Sequence, residues 1–311
     1  MTSKFAFPAL DILHAGMMLV ALAVAYALPF ELVLLSYAIL GPLHYLTEIS
    51  WLHDRSYFMQ HRSLAWFLAL CTVVVLALSL RDSPATGIIF CLALAFSAAF
   101  TLFGSFWARA IVILIGLGAG LVVSRIPPLN TPLIILLPTV IHVSIFTLLF
   151  MVVGALRGKS FSQAVLVLLY MAGITTLLFY PPVVAMHIPV LATRTPQIFG
   201  SIAKAFRGIF GGAWPFDARL AGFLSFIYTY HYLNWFIKVR VIKWDAVSRE
   251  RLLMIFIMGL GATSFYFINY DLGFVILFTL SLLHVMLEFP LNVLSIRQLG
   301  GLMRPLRSSL S

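Results

Sequence analysis

The sequence predicts an all-α, polytopic integral membrane helix bundle, and its composition and the lengths of its apolar runs are the observations that predict it. The chain of 311 residues is 62% hydrophobic and 10% charged, with a mean hydropathy of +1.06. An ordinary soluble domain carries roughly 25% charged residues. Because a helix needs about 20 apolar residues to cross a bilayer core, the apolar runs predict a single transmembrane domain over residues 1–311 with about ten helices.

The ten predicted spans follow one another along the chain. They cover residues 8–28, 31–50, 63–80, 87–105, 108–125, 131–155, 161–184, 219–237, 252–270 and 272–293. The third, fifth and eighth runs are short, so nine spans are the alternative count. The first run contains Asp11 and His14 and is not followed by a small-residue cleavage site, which favours a retained span over a removed signal peptide.

The basic residues predict the orientation. With ten spans, fourteen Lys and Arg residues fall on the side that holds both termini and six fall on the other side. Cytoplasmic loops carry the excess of Lys and Arg, so we predict cytoplasmic N- and C-termini and a multi-pass protein of the inner or plasma membrane. The formal charge of +10 is spread over many loops, which argues against nucleic acid as a partner.

One connection, residues 186–218, is long. Ile198, Phe199, Ile202 and Phe206 recur within it at helical spacing. This pattern predicts an extracytoplasmic amphipathic helix that lies in the membrane interface. It would serve as a surface anchor packed on the bundle or as a lid over a lateral lipid entrance.

Two His–Glu pairs occur inside apolar runs. His44 and Glu48 stand in GPLHYLTE, and His284 and Glu288 stand in LLHVMLE. A spacing of four residues places both side chains of a pair on one helix face. Ionisable groups within a membrane helix are costly unless they face a partner, an ion or water, so these pairs indicate a functional site.

The predicted topology places a third histidine, His231, at the depth of His44 and His284. All three would lie in the cytoplasmic half of the bundle and could share a cavity. Imidazole suits iron, copper, zinc and haem, and a nearby carboxylate can be a further ligand or can orient the ring. We therefore predict that His44, His231 and His284 bind a metal, and that Glu48 and Glu288 act as catalytic groups, ligands or ring-orienting groups.

Other polar residues are additional candidates. A lone membrane histidine such as His142 more commonly hydrogen-bonds a neighbouring helix than binds a metal. Asp11 with His14 could instead be a local ion pair, and His53 with Asp54 could instead cap a loop. The additional candidates are Asp11, His14, His53, Asp54, His142, Tyr228 and Asn234.

The segment GPLHYLTE resembles the G-x-x-H-x-x-x-(D/E) histidine motif of the Brp/Blh membrane β-carotene 15,15′-dioxygenase family. LLHVMLE is similar to that family's late histidine-containing helix. The resemblance implies an all-helical membrane enzyme that uses non-haem iron to split a carotenoid, with His44 and His284 as iron ligands and His231 as a looser match. The chain departs from the family where Tyr45 and Leu46 follow the motif histidine and where HYLN replaces paired histidines.

We therefore predict a metal-dependent membrane oxidoreductase or oxygenase, with non-haem iron as the first choice of metal and copper or zinc as others. Its substrate would be a lipid or isoprenoid that enters from the bilayer, and it could require a redox partner. Three alternatives stay open: a haem-binding electron-transfer protein, a proton-coupled transporter, and an acyltransferase with His231 as base and Asn234 nearby.

Overall fold

The computed structural model describes residues 8–59, 62–126, 137–180, 182, 218–238 and 247–308. Within these ranges the chain forms helices joined by turns, and no strand occurs. This confirms the all-helical prediction. The interfacial helix predicted over residues 186–218 lies outside the described residues, apart from Ala218.

The described residues form ten helices that we number in chain order. They are α1 (Ala9–Ala27), α2 (Pro29–Asp54), α3 (Ser63–Ser79), α4 (Ala85–Leu102), α5 (Phe106–Ser124), α6 (137–158), α7 (Phe161–Phe179), α8 (Ala218–Ile237), α9 (Arg249–Ile268) and α10 (Tyr270–Ser308).

Eight of these helices are long and apolar enough to cross a membrane: α1, α2, α4, α5, α6, α7, α9 and α10. The remaining two are the 17-residue α3 and α8, which contains polar residues such as His231 and Asn234. The protein is therefore a multi-pass membrane protein by helix length and composition. The full count of ten spans and the cytoplasmic location of the termini stay predictions.

Local sequence signals explain where several helices begin. Pro29 opens α2 directly after Leu28, whose backbone is not helical, because proline needs no donor at the first helical position. Ser160 and Ser248 precede α7 and α9, and each hydroxyl accepts a hydrogen bond from a backbone N–H in the first turn. Such N-caps satisfy donors that have no partner within the helix.

Two of the helices contain π-helical segments. In α2 the segment is Ser36–Leu40, directly before Gly41–Asp54. Pro42 has no N–H to donate to the carbonyl of Ala38, and the hydroxyl of Thr263 in α9 donates to that carbonyl at 2.8 Å. In α6 the π segment is Leu137–Phe146. π-Helical turns are rare and occur frequently at functional sites.

Helix α8 is the central helix of the bundle. Residues on all of its faces are buried, and it packs against α1, α2 and α7. One hydrophobic core joins these helices and includes Tyr45, Tyr170 and Phe226. A second core joins α2, α3, α4 and α10 and includes Leu52, Phe90 and Phe289. The first core includes α2 residues as far as Tyr45 and the second includes α2 residues from Ile49 onward, so the two cores meet partway along this helix.

Helices α4 and α5 pack closely through small residues. A Cβ added at Gly116 would lie 2.2 Å from the Cβ of Ala95, and one added at Gly120 would lie 2.7 Å from the Cα of Ile88. Glycines four residues apart allow membrane helices to approach this closely. The two helices therefore form a hairpin whose outer surface is apolar and exposed, including Trp107 and Leu114, as expected for a surface that faces lipid.

Candidate metal centre

Four histidines from four helices meet inside the bundle: His44 of α2, His142 of α6, His231 of α8 and His284 of α10. His44, His142 and His284 are buried, with at most 2% of each residue exposed, and His231 lines a cavity. The Nε2 atoms of His44 and His231 are 3.1 Å apart. Those of His142 and His284 are 3.2 Å apart.

These histidines form two overlapping groups of closely spaced ligand atoms. In one group, nitrogens of His44, His142 and His231 all lie within 4.8 Å of one another. In the other, nitrogens of His44 and His284 and a carboxylate oxygen of Glu48 lie within the same distance. The three histidines predicted from sequence are thus brought together, and His142 joins them.

Each glutamate contacts one of the histidines. Glu48 Oε2 lies 3.1 Å from His44 Nε2, on the side of the ring that faces His231. Glu288 Oε2 lies 2.9 Å from His142 Nδ1, the nitrogen that points away from His284. Glu48 is therefore the glutamate beside the facing Nε2 atoms of the cluster, whereas Glu288 lies at the far nitrogen of the His142 ring.

The Nδ1 atoms of the other two partnered rings, His284 and His231, form hydrogen bonds. His284 Nδ1 donates to the backbone carbonyl of Leu280 at 3.3 Å, and His231 Nδ1 lies 2.8 Å from the hydroxyl of Thr147. A neutral imidazole carries one N–H and one lone pair. Because a carbonyl only accepts, His284 carries its proton on Nδ1 and presents a lone pair at Nε2. His142 Nδ1 lies beside Glu288 Oε2 but has no hydrogen-bond partner among the described residues.

The lone pair at His284 Nε2 faces His142 Nε2 at 3.2 Å, so this contact is either an N–H···N hydrogen bond or a pair of ligands to one cation. Two nitrogens bound to one ion at ~2.1 Å stand ~3.0 Å apart at a right angle and ~3.4 Å apart at the tetrahedral angle. The observed Nε2 separations of 3.1 and 3.2 Å fall between these values. The arrangement therefore suits a shared metal ion.

Aromatic residues hold the histidine rings in position. Tyr45 stacks on His284 with ring centres 4.4 Å apart, and the Tyr45 and Tyr232 hydroxyls are 2.6 Å apart. Trp235 Nε1 donates to the Thr47 hydroxyl at 2.9 Å. Both tyrosines are almost completely buried, so they pack beside the histidines in the interior rather than forming an interfacial aromatic belt.

A cavity of about 360 Å³ adjoins the centre. His44, Glu48, His231 and Glu288 contribute polar groups to it. Most of its remaining surface is apolar or aromatic and comes from Trp51, Phe58, Phe150, Val153, Trp235 and Leu291. Polar side chains, including those of Arg157 and Lys238, also line it. Such a mixture is typical of a pocket for a small, mainly apolar ligand.

Most of the additional candidate residues lie outside the histidine cluster. Asp11 and His14 line a neighbouring cavity of about 220 Å³, where Asp11 accepts a hydrogen bond from Ser162 and His14 Nδ1 lies 3.4 Å from the Tyr230 hydroxyl. Asn234 lines both cavities.

His53 and Asp54 are exposed at the end of α2, where Asp54 pairs with Arg251 at 2.7 Å. Tyr228 is buried with Tyr37 and Tyr232. Of the additional candidates, His142 contributes a ring nitrogen to the histidine cluster.

Sequence reasoning ranked His142 below the other three histidines, because no carboxylate follows it at helical spacing. Its carboxylate partner is instead Glu288 on α10, 146 residues away (288 − 142). The weak signal available in the sequence was an ionisable residue within an apolar run. The π-helical segment around His142 is a second indication, but it is visible only in the structure.

Comparisons with protein-family models, with characterised proteins and with solved structures give no match to this chain. The resemblance to the Brp/Blh family therefore stays a prediction based on two short motifs.

Proposed function

We propose that this protein is a membrane oxidoreductase that uses a non-haem metal held by His44, His142, His231 and His284. The observation that carries the proposal is the close approach of ring nitrogens in two pairs, at 3.1 and 3.2 Å. In one pair, His284 Nδ1 donates to the Leu280 carbonyl, which leaves the Nε2 lone pair free to bind a metal, and Glu288 Oε2 lies 2.9 Å from Nδ1 of the partner ring, His142. A metal cation is the occupant that this arrangement would stabilise.

Iron is our first choice of metal, ahead of copper and zinc. All three accept imidazole ligands; iron and copper both activate dioxygen, unlike zinc, and the resemblance of GPLHYLTE to a non-haem iron motif favours iron over copper. Glu48 would complete the set of nitrogen and oxygen ligands or accept a proton from the substrate. Glu288 would hold His142 in the ligating orientation, since carboxylates commonly orient metal-binding imidazoles.

A haem group is a poorer fit to the same residues. Two histidines on opposite faces of a haem iron stand about 4 Å apart, twice a bond length of ~2.0 Å. The two close histidine pairs are at 3.1 and 3.2 Å, which leaves no room for a porphyrin ring between them. The geometry therefore favours a bare ion.

The substrate we propose is an unsaturated lipid or isoprenoid, because the adjoining cavity has mostly apolar and aromatic walls. When bound, the metal would activate dioxygen. Addition of both oxygen atoms across a carbon–carbon double bond, with cleavage of that bond, gives two carbonyl groups and needs no external electron donor. Hydroxylation or desaturation would instead need two electrons from a redox partner.

Metal analysis tests the first part of the proposal. Protein purified in detergent without chelator should contain near-stoichiometric iron, copper or zinc by mass spectrometry, and His44→Ala and His284→Ala should lose it. The matched control is His53→Ala, since the His53 ring is exposed beside Asp54 and lies outside the cluster. Metal-free wild-type protein that is folded and monodisperse would refute the proposal, as would retention of metal by both alanine variants.

Oxygen uptake tests the reaction class. Metal-loaded protein with an unsaturated lipid should consume dioxygen, and ¹⁸O₂ should label both carbonyl products. His44→Ala should abolish the uptake while His53→Ala retains it. A metal-loaded protein that consumes no oxygen with any unsaturated lipid would retain the metal site but overturn the oxygenase assignment.

A further inference from the structure

The cavity beside the histidine centre connects two chemically different regions. His231 and Lys238 both line it, and they are seven residues apart at the end of α8. At a helical rise of 1.5 Å per residue, that spacing corresponds to about 10 Å along the helix axis. The cavity therefore extends from the histidines toward the end of α8.

Two cations lie at that end of the cavity. Lys238 follows the last residue of α8 and is half-buried, and Arg157 is exposed in the last turn of α6. Within the described part of the chain, neither side chain forms an ion pair with a carboxylate. The cavity's own carboxylates, Glu48 and Glu288, already contact His44 and His142.

The carboxylates of the cavity lie against the histidines, so an anion at this end would neutralise the two cations locally. Burial lowers the pKa of the Lys238 ammonium group to about 8, so this group is mostly protonated at neutral pH. Arg157 is charged at any physiological pH. Two cations at the end of a largely apolar cavity match an amphipathic ligand that has one apolar chain and one anionic end.

We propose that the substrate is a lipid with an anionic head group, a carboxylate or a phosphate, which Arg157 and Lys238 bind. This inference rests on the proposed function and names its substrate class. The apolar chain then lies along Phe58, Phe150 and Leu291 and passes the histidine centre. Because Lys238 lies about 10 Å along the helix axis from His231, the reacting carbons are close to the head group and not in the distal part of a long chain.

The size of the cavity agrees with this arrangement. Pockets for small ligands occupy about 300–1,000 Å³, and this cavity is near the lower limit at about 360 Å³. It accommodates a head group and the adjacent part of a chain. The remaining chain would then extend beyond the cavity into the bilayer.

A binding measurement tests the proposal without turnover. Trp51 and Trp235 line the cavity, so a fatty acid with bromine near its carboxyl end should quench tryptophan fluorescence on binding. The acid should bind at least about tenfold more tightly than its methyl ester. Equal affinity for the acid and the ester would overturn the proposal.

Variants locate the head-group site. Arg157→Gln should reduce the preference for the acid, and the double variant Arg157→Gln/Lys238→Gln should abolish it while leaving ester binding unchanged. The control is Lys159→Gln, an exposed cation two residues from Arg157 that does not line the cavity. A preference that survives in the double variant, or that disappears in the control, would refute the assignment of these two cations.

Two further experiments complete the test. The first identifies the kind of anion that binds, and the second distinguishes the head-group proposal from the metal proposal. An isoprenyl phosphate should compete with the brominated acid, whereas millimolar inorganic phosphate should not; competition by inorganic phosphate would indicate a small-anion site and overturn the lipid assignment. The same titrations on metal-free His44→Ala protein should keep the preference for the acid. Failure of the metal proposal and failure of the head-group proposal are thereby distinguishable.

Discussion

At the residue scale, the orientation of each histidine in the candidate centre depends on the group that its Nδ1 atom contacts. His142 has a carboxylate, His231 a hydroxyl and His284 a backbone carbonyl at Nδ1. The Nδ1 atoms of His44 and His142 are both buried without a hydrogen-bond partner among the described residues, although that of His142 lies 2.9 Å from Glu288. These different environments predict different responses to substitution.

Replacing His142 by alanine should remove bound metal as completely as replacing His44, because both rings contribute a nitrogen to the same group of ligand atoms. The measurement is metal content after purification. His14→Ala is the matched control, since His14 is also buried in a membrane helix but lines the neighbouring cavity. Full metal content in His142→Ala would show that His142 is only a helix–helix contact.

Glu288→Gln should weaken metal binding by about 10- to 100-fold, the usual cost of changing a group that orients a ligand. The amide preserves the shape of the side chain but removes the carboxylate that lies 2.9 Å from His142 Nδ1. Competition with a chelator of known affinity measures the change. An unaltered affinity, in protein that remains monodisperse, would contradict the orienting role.

At the element scale, two features control how closely the helices approach one another. The π-helical segments of α2 and α6 directly precede or contain His44 and His142, and they change the direction in which the following side chains point. The glycines of α5 allow its backbone to contact α4. Both features act through the backbone: the π-helical segments alter its path, and the glycines allow it to approach the neighbouring helix.

Gly120→Ala should destabilise the protein by about 1–3 kcal/mol, the range for overpacking a tight contact, because the added Cβ would meet the backbone of Ile88 at 2.7 Å. Gly118→Ala is the control on the same helix, since nothing lies within 4 Å of its Cβ position. That substitution should be neutral or stabilising, because alanine is the better helix former. Thermal unfolding in detergent measures both, and equal melting temperatures would contradict the close packing.

At the scale of the whole molecule, the centre lies where two hydrophobic cores meet along α2. Its histidines come from α2, α6, α8 and α10, which are even-numbered members of the ten described helices, all ten of which the sequence predicts to be spans. In a bundle whose successive helices cross the membrane in opposite directions, alternate helices run parallel. Their corresponding ends, including those that carry Arg157 and Lys238, then lie on one side of the membrane.

Fusion reporters test the predicted orientation. A green fluorescent protein fused after Ser311 should fluoresce and an alkaline phosphatase at the same position should be inactive, because the excess of Lys and Arg predicts a cytoplasmic C-terminus. A phosphatase fused within residues 186–218 should be active, which provides the internal control. Reversed activities would place the cationic end of the cavity on the opposite side.

Much of the fold could be predicted from composition alone. Apolar runs of sufficient length must become helices in a bilayer, because every backbone N–H and C=O has to be satisfied within the segment. The pairs His44–Glu48 and His284–Glu288 could also be predicted from the sequence, since helical periodicity places residues four apart on one face. These are local properties, and a linear sequence records them directly.

The composition of the centre depended on contacts between distant parts of the chain. His142 meets His284 across 142 residues and His44 meets His231 across 187, and no periodicity relates such positions. The same holds for Arg157 and Lys238, which are 81 residues apart (238 − 157) and which the bundle brings to one cavity. Which helix faces meet depends on side-chain packing between helices, and that information appears only when the chain is folded.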